Sequence, residues 1–180
     1  MEKELGNHIC LFYSNPDYQI RTIAKYFADS LNQGRKCIYV HSPNKSPIKQ
    51  LKKFIPTQEI EFLSSNEVYL ENNIFDPIKA QNFWIKVYKK YHKLTVTSDG
   101  TRMLNNPDTF EILQKYEYVM QEKIKYMDIF AICQYQVTSK TIKFLKELIK
   151  SHMEINGDNL SFLNLSHAIL TDVDQYLCFV

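Results

Sequence analysis

The stretch HICLFYSNPDYQIRTIAKYFADSLNQGRKCIYV, His8 to Val40, decides how the chain is read. An apolar run from Ile9 to Tyr13 stops at Ser14-Asn15-Pro16-Asp17. Ile20, Ile23, Ala24, Phe27, Ala28 and Leu31 then recur at the spacing of one helical face, Gly34 closes the segment, and a second apolar run begins at Cys37. Asn15 can cap the helix, and Pro16, which lacks an N–H, suits its first position. The pattern predicts strand, helix, strand, with the two strands parallel and joined by a right-handed crossover. Many α/β proteins hold a nucleotide at such a strand-to-helix turn.

A phosphate-binding turn needs the pattern GxxxxGK[ST], because glycines let backbone N–H groups wrap the phosphates and the lysine supplies countercharge. Arg21-Thr22 stand where Lys-Ser/Thr would be, but Asn15 and Ile20 occupy both glycine positions. Asp17 suits the positive end of the helix and repels a phosphate at the same place. The sequence therefore predicts a nucleotide-type scaffold without its phosphate loop.

Beyond Val40, Ser46-Pro47 opens a short helix that turns Ile48, Leu51, Phe54 and Ile55 inward and stops at Pro56. Residues 59–64 (EIEFLS) read as a third strand, and 66–77 as a loop with a helical turn. Asp76-Pro77 starts a helix whose stripe is Ala80, Phe83, Trp84, Val87, Tyr88 and Tyr91, with lysines on its solvated faces. Residues 94–98 (LTVTS) are β-branched and end at Asp99-Gly100. Asn106-Pro107 opens a long helix with Phe110, Leu113, Tyr116, Met120 and Ile124 inward. Residues 128–135 (DIFAICQY) form an apolar run of the kind found in strands covered on both faces. A last helix begins near Thr138 and buries Ile142, Leu145, Leu148 and Ile149. Met153 to Asn156 reads as an edge strand with a hairpin partner at Leu160 to Leu165, and the segment from Thr171 as a short helix or tail. Strands alternating with helices predict a three-layer α/β sandwich around a mostly parallel sheet, as one domain over residues 1–180.

At 180 residues and 44% hydrophobic content, one sizeable core is expected. A formal charge of +2 gives no signal for nucleic acid or an anionic membrane. No apolar run approaches the roughly 20 residues of a membrane span, and the first residues lack a signal-peptide pattern, so a cytoplasmic protein is expected. Four cysteines, at 10, 37, 133 and 178, have no paired spacing, which suits reduced thiols.

Six pieces in order resemble the MEDS family, the sensory domain named for methanogen/methylotroph proteins and DcmR. They are His8-Ile-Cys10-Leu-Phe-Tyr13, Gly34-Arg-Lys-Cys37-Ile-Tyr39, residues 69–77 (YLENNIFDP), Trp84, Lys115-Tyr116-Glu117 and Ala131-Ile-Cys133-Gln-Tyr135, together covering about residues 8–152. The resemblance implies a RecA/KaiC-like fold without a working phosphate loop. It also implies a sensor of small molecules such as hydrocarbon or one-carbon derivatives. Where the family carries an Arg-x-Thr-Gly-Glu-Met-Ser-Trp-like segment this chain has Thr95 to Arg102, with Asp99 in place of the glutamate and no tryptophan. Where the family tends to place an acid after the late cysteine and tyrosine, it has Gln136. No output domain is legible, so the implied signal passes to a separate partner, a kinase or transcription regulator, or through self-association.

In a strand His8 and Cys10 point to one face, as do Cys133 and Tyr135; were the two strands neighbours, His8, Cys10 and Cys133 would converge. Ligands of open α/β sheets sit beyond the carboxyl ends of the strands. That rim gathers Tyr13, Ser14, His41, Asp99, Arg102, Tyr135 and Gln136 and is the expected general pocket. His8 lies about 16 Å away along its strand. The candidate ligand residues are thus His8, Cys10, Tyr13, His41, Asp99, Arg102, Cys133 and Tyr135. No nucleophile elbow, HExxH or triad order is present, and only four glycines, so no catalytic role and no cofactor is expected. The alternatives are a degenerate nucleotide-binding protein, and a redox or metal switch at His8, Cys10 and Cys133.

Overall fold

The computed structural model describes residues 5–42, 47–71, 74–105, 107–152 and 154–158. In chain order they form β1 (Asn7–Tyr13), α1 (Pro16–Asn32), β2 (Lys36–His41), α2 (Ile48–Leu51), β3 (Ile60–Ser64), α3 (Ser65–Val68), β4 (Leu70–Glu71) and β5 (Ile74–Phe75). The second half adds α4 (Pro77–Tyr91), β6 (Leu94–Asp99), α5 (Pro107–Ile124), β7 (Ile129–Gln136), α6 (Ile142–Leu148) and β8 (Glu154–Gly157). Short 3-10 turns, Thr101–Asn105 and Ile149–Ser151, follow β6 and α6.

The first unit forms for local reasons. Asn15 Oδ1 accepts from the Asp17 N–H at 2.8 Å at the start of α1. At its far end Gly34 adopts φ 69°, where a side chain would be strained, and its N–H bonds the Leu31 carbonyl. Asp76 caps α4 in the same manner as Asn15, accepting from Ile78 and Lys79.

Six strands make one parallel sheet in the order β3-β2-β6-β7-β1-β8, and β4 and β5 form a small antiparallel pair. The three-layer α/β architecture is the predicted one. β1 and β2 are parallel but not neighbours, because β6 and β7 lie between them. A helical crossover enforces parallelism, not adjacency, and β7, apolar on both faces, takes an interior place.

The pleat divides the core. From β1, Ile9 and Leu11 join Ile20, Ile23 and Phe27 of α1, whereas Cys10 and Phe12 join Trp84 of α4, Leu113 of α5 and Leu145 of α6. Each such fully buried large side chain contributes about 1.5–3 kcal/mol.

Some expectations change. α2 has only four residues, and Phe54 is 45% exposed, with the Arg21 guanidinium 5.5 Å from its ring centre. The segment lies against α1 at the margin of the layer, where Leu51 and Ile55 alone reach the core. Ile142 is half-buried. β8 is an edge strand, paired parallel to β1 with Ile155 beside Cys10. Ser46, Asn106, Met153, the predicted partner at Leu160 to Leu165, the segment from Thr171, and Cys178 lie outside the described residues.

Candidate functional site

Two sets of polar side chains lie on opposite sides of the sheet. At the carboxyl rim, Tyr13 Oη donates to Asp99 Oδ2 at 2.9 Å, and Asp99 Oδ1 accepts from the Thr101 N–H at 2.9 Å. Burial first, and Asp99 second, push the Tyr13 hydroxyl above its usual range. His41 Nδ1 lies 2.8 Å from the Ser42 carbonyl, and Arg102 is exposed on the 3-10 turn. A cleft of about 320 Å³ lies beside Tyr13, Gln19, His41 and Gln136, and one of about 400 Å³ beside Leu70, Arg102 and Met103. Asp99 lines both.

The amides at the start of α1 are already engaged. Ser14 N–H and Asn15 N–H donate to the Asp158 carboxylate at 2.9 and 2.8 Å, and the Ser14 hydroxyl donates at 3.0 Å. These two amides lie just before the helix, and they place the protein's own carboxylate beside its positive end.

Tyr135, expected at the rim, is not there. It shares the parity of Cys133, so the pleat turns it to the α5 side, where it is 1% exposed and donates to Glu117 Oε1 at 3.0 Å. Gly100 lies over its ring; a Cβ there would meet Tyr135 Cε1 at 2.6 Å.

On that face β1 and β7 are neighbours, so His8 and Cys133 do meet. His8 Nε2 lies 3.3 Å from Cys133 Sγ and 3.1 Å from Glu117 Oε2. Cys133 Sγ in turn lies 3.7 Å from the same Glu117 oxygen. His8 Nδ1 is 3.0 Å from the Gln121 side-chain oxygen, so the Nδ1–H donates outward. His152, delivered by the turn after α6, sets its ring 4.2 Å from that of His8, centre to centre. Its Nδ1–H donates to the Leu148 carbonyl at 2.7 Å, and Nε2 stands 3.8 Å from Glu117 Oε2. Among the described residues, His152 Nε2 is the buried side-chain nitrogen or oxygen without a hydrogen-bond partner. Cys10 faces Cys133 across the strands, but Glu117 and His152, not Cys10, complete the converging group.

The electrostatics follow from the burial. Burial pushes the Glu117 carboxyl up, but the hydrogen bond and attraction of His8, with the hydrogen bond from the Tyr135 hydroxyl, outweigh it and leave the carboxyl below its ordinary range. Burial, then His8, pushes His152 down to about 3, so its imidazole is neutral. Burial and Glu117 raise the thiols of Cys10 and Cys133 well above normal, the opposite of an activated redox cysteine.

Glu117 and His152 are not among the residues that the sequence marks as ligand candidates. The sequence signal for Glu117 is a charged residue inside the apolar helical stripe of Leu113, Met120 and Ile124; His152 carries none. A cavity of about 40 Å³ adjoins this group. Its apolar lining includes Tyr69, Phe75, Trp84, Met103, Leu113 and Met120, and its polar wall is His8, Glu117, Cys133 and Tyr135.

A parallel sheet layered by helices, with its first strand-to-helix turn stripped of the phosphate loop, defines a RecA/KaiC-like α/β domain. Solved structures bear out the fold. A KaiC-like protein, PH0186, from Pyrococcus horikoshii OT3 aligns over 83% of this chain and 69% of its own at 8% identity, with a TM-score of 0.56. PH0250, from Pyrococcus horikoshii OT3, aligns over 89% and 85% at 10% identity, TM-score 0.57. An ATPase from the type III secretion system of pathogenic bacteria aligns over 94% of this chain and 54% of its own at 11% identity, TM-score 0.57. No curated protein matches in sequence. The chain belongs to the MEDS family, the methanogen/methylotroph, DcmR sensory domain, whose profile matches residues 7–153. Among the described residues no helix is long and apolar enough to cross a membrane.

Proposed function

We propose that the chain is a non-enzymatic sensory module. It takes a small, largely apolar molecule, in class a hydrocarbon or one-carbon derivative, into the cavity between the sheet and helices α4 and α5. The change passes to a separate partner, a kinase or transcription regulator, or through self-association. The observation that carries this reading is the cavity: about 40 Å³, aromatic and methionine-lined, with one polar wall. A water needs about 10–15 Å³, so the space suits a few heavy atoms and not a nucleotide. Trp84 lies on α4 and Leu113 and Met120 on α5, so an occupant that favours one placement of these helices biases their equilibrium. The free thiols of Cys10, Cys37 and Cys133 fit a reducing, cytoplasmic setting.

A degenerate nucleotide site at the larger rim clefts is the competing reading, and the negative charge of Asp158, bonded to the Ser14 and Asn15 amides at the start of α1, speaks against it. Thermal unfolding of the purified chain with small halogenated, methylated and thiol compounds tests the proposal. A compound at a hundred times its Kd stabilises by about 2.7 kcal/mol. Ala131→Leu, which fills the lining, is expected to abolish that shift while circular dichroism stays native. No shift with any compound, or one that survives Ala131→Leu, overturns the cavity as the sensing site. Saturable binding of ATP with magnesium would favour the rim.

A further inference from the structure

We propose that His8, Glu117, Cys133 and His152 form a metal site of the zinc class. Their donor atoms, two imidazole Nε2, one carboxylate oxygen and one sulfur, all lie within 4.8 Å of one another. Zinc bonds of about 2.0–2.3 Å in a tetrahedron put such donors about 3.3–3.7 Å apart. The separations from Glu117 Oε2 are 3.1 Å to His8, 3.7 Å to Cys133 and 3.8 Å to His152, and His8 to Cys133 is 3.3 Å. These four separations lie in or beside that range, and the two remaining pairs, His8 to His152 and Cys133 to His152, lie within 4.8 Å.

Independent support comes from the outer contacts. His152 spends its Nδ1–H on the Leu148 carbonyl, which leaves Nε2 an unprotonated lone pair, buried, without a partner and aimed into the group. His8 spends its Nδ1–H on Gln121, so its Nε2 also faces inward. Metal-bound histidines are oriented by bonds of this kind, and an unpartnered buried nitrogen is costly unless something fills its place. Glu117 is further held by Tyr135 through its other oxygen. Two nitrogens, one sulfur and one oxygen suit Zn²⁺ better than the hard cations. On binding, the Cys133 S–H gives its proton to solvent, as does His8 Nε2 if it carries one, and the freed lone pairs form the bonds to the metal.

The test uses the full chain and metal alone, without small molecules, so failure here leaves the sensory reading standing. Protein expressed with zinc is expected to hold one equivalent by elemental analysis. Cobalt titrated into chelator-treated protein is expected to saturate at one equivalent, with strong visible tetrahedral bands and a near-ultraviolet sulfur-to-cobalt charge-transfer band. Cys133→Ser should lose the charge-transfer band, His152→Ala should weaken binding at least about tenfold, and Cys10→Ser should leave the spectrum unchanged. Substoichiometric metal, a weak octahedral spectrum, or a charge-transfer band that persists in Cys133→Ser overturns the site. Where a variant does not fold, the wild-type stoichiometry and sulfur band decide alone.

Discussion

Replacing Glu117 tests whether the buried carboxylate is there for its partners. In metal-free protein, Glu117 accepts from Tyr135 at 3.0 Å and faces His8 Nε2 at 3.1 Å, in a site 4% exposed. Glu117→Gln keeps an oxygen for Tyr135 and replaces the carboxylate that faces His8 Nε2 by a neutral amide. The loss is that of one charge-assisted bond, about 1–2 kcal/mol. Glu117→Leu is better matched to the apolar lining but strands the Tyr135 hydroxyl and breaks a buried pair from one side, for about 3–5 kcal/mol. For a domain of this size each kcal/mol lowers Tm by about 2–4 °C. The expected falls are then roughly 2–8 °C for Gln and 6–20 °C for Leu, read by circular dichroism with a chelator present throughout. A Leu variant as stable as the Gln variant, or more so, would refute the reasoning, because burial and not hydrogen bonding would then govern the site.

Asp158→Ala frees the Ser14 and Asn15 amides and removes a carboxylate from the start of α1; a loss of about 1–2 kcal/mol in urea unfolding is expected, and no loss would mean that the cap does not hold in solution. Gly100→Ala drives a Cβ against the Tyr135 ring and should cost about 1–3 kcal/mol by thermal unfolding; a neutral result would show that the turn yields. Burial pushes the Cys37 thiol up to about 12 against the pull of Lys36 and Arg35. At pH 8 its thiolate fraction is then on the order of 10⁻⁴, so Cys37 and Cys10 should resist alkylation in the folded protein and react once it is unfolded. Rapid native-state labelling at either position, read by mass spectrometry, would contradict the buried placement.

Much of this molecule is legible one residue at a time. The cap at Asn15, the left-handed Gly34, the cap at Asp76, and the parity that puts His8 with Cys10 and Cys133 with Tyr135 on one face of their own strands are local consequences of backbone geometry. The missing phosphate-loop glycines are equally plain. What the sequence could not settle was adjacency. Only the strand order sets β1 beside β7 and so brings His8 to Cys133, 125 residues apart in the chain. Glu117 and His152 reach the same point from a helix and from a turn after another helix, and no local pattern records that meeting. Asp158 reaches the first turn because β8 pairs with β1. Period and capping are short-range and thus written in the sequence, whereas the convergence of donors from distant elements depends on how whole layers pack, and only the folded chain decides it.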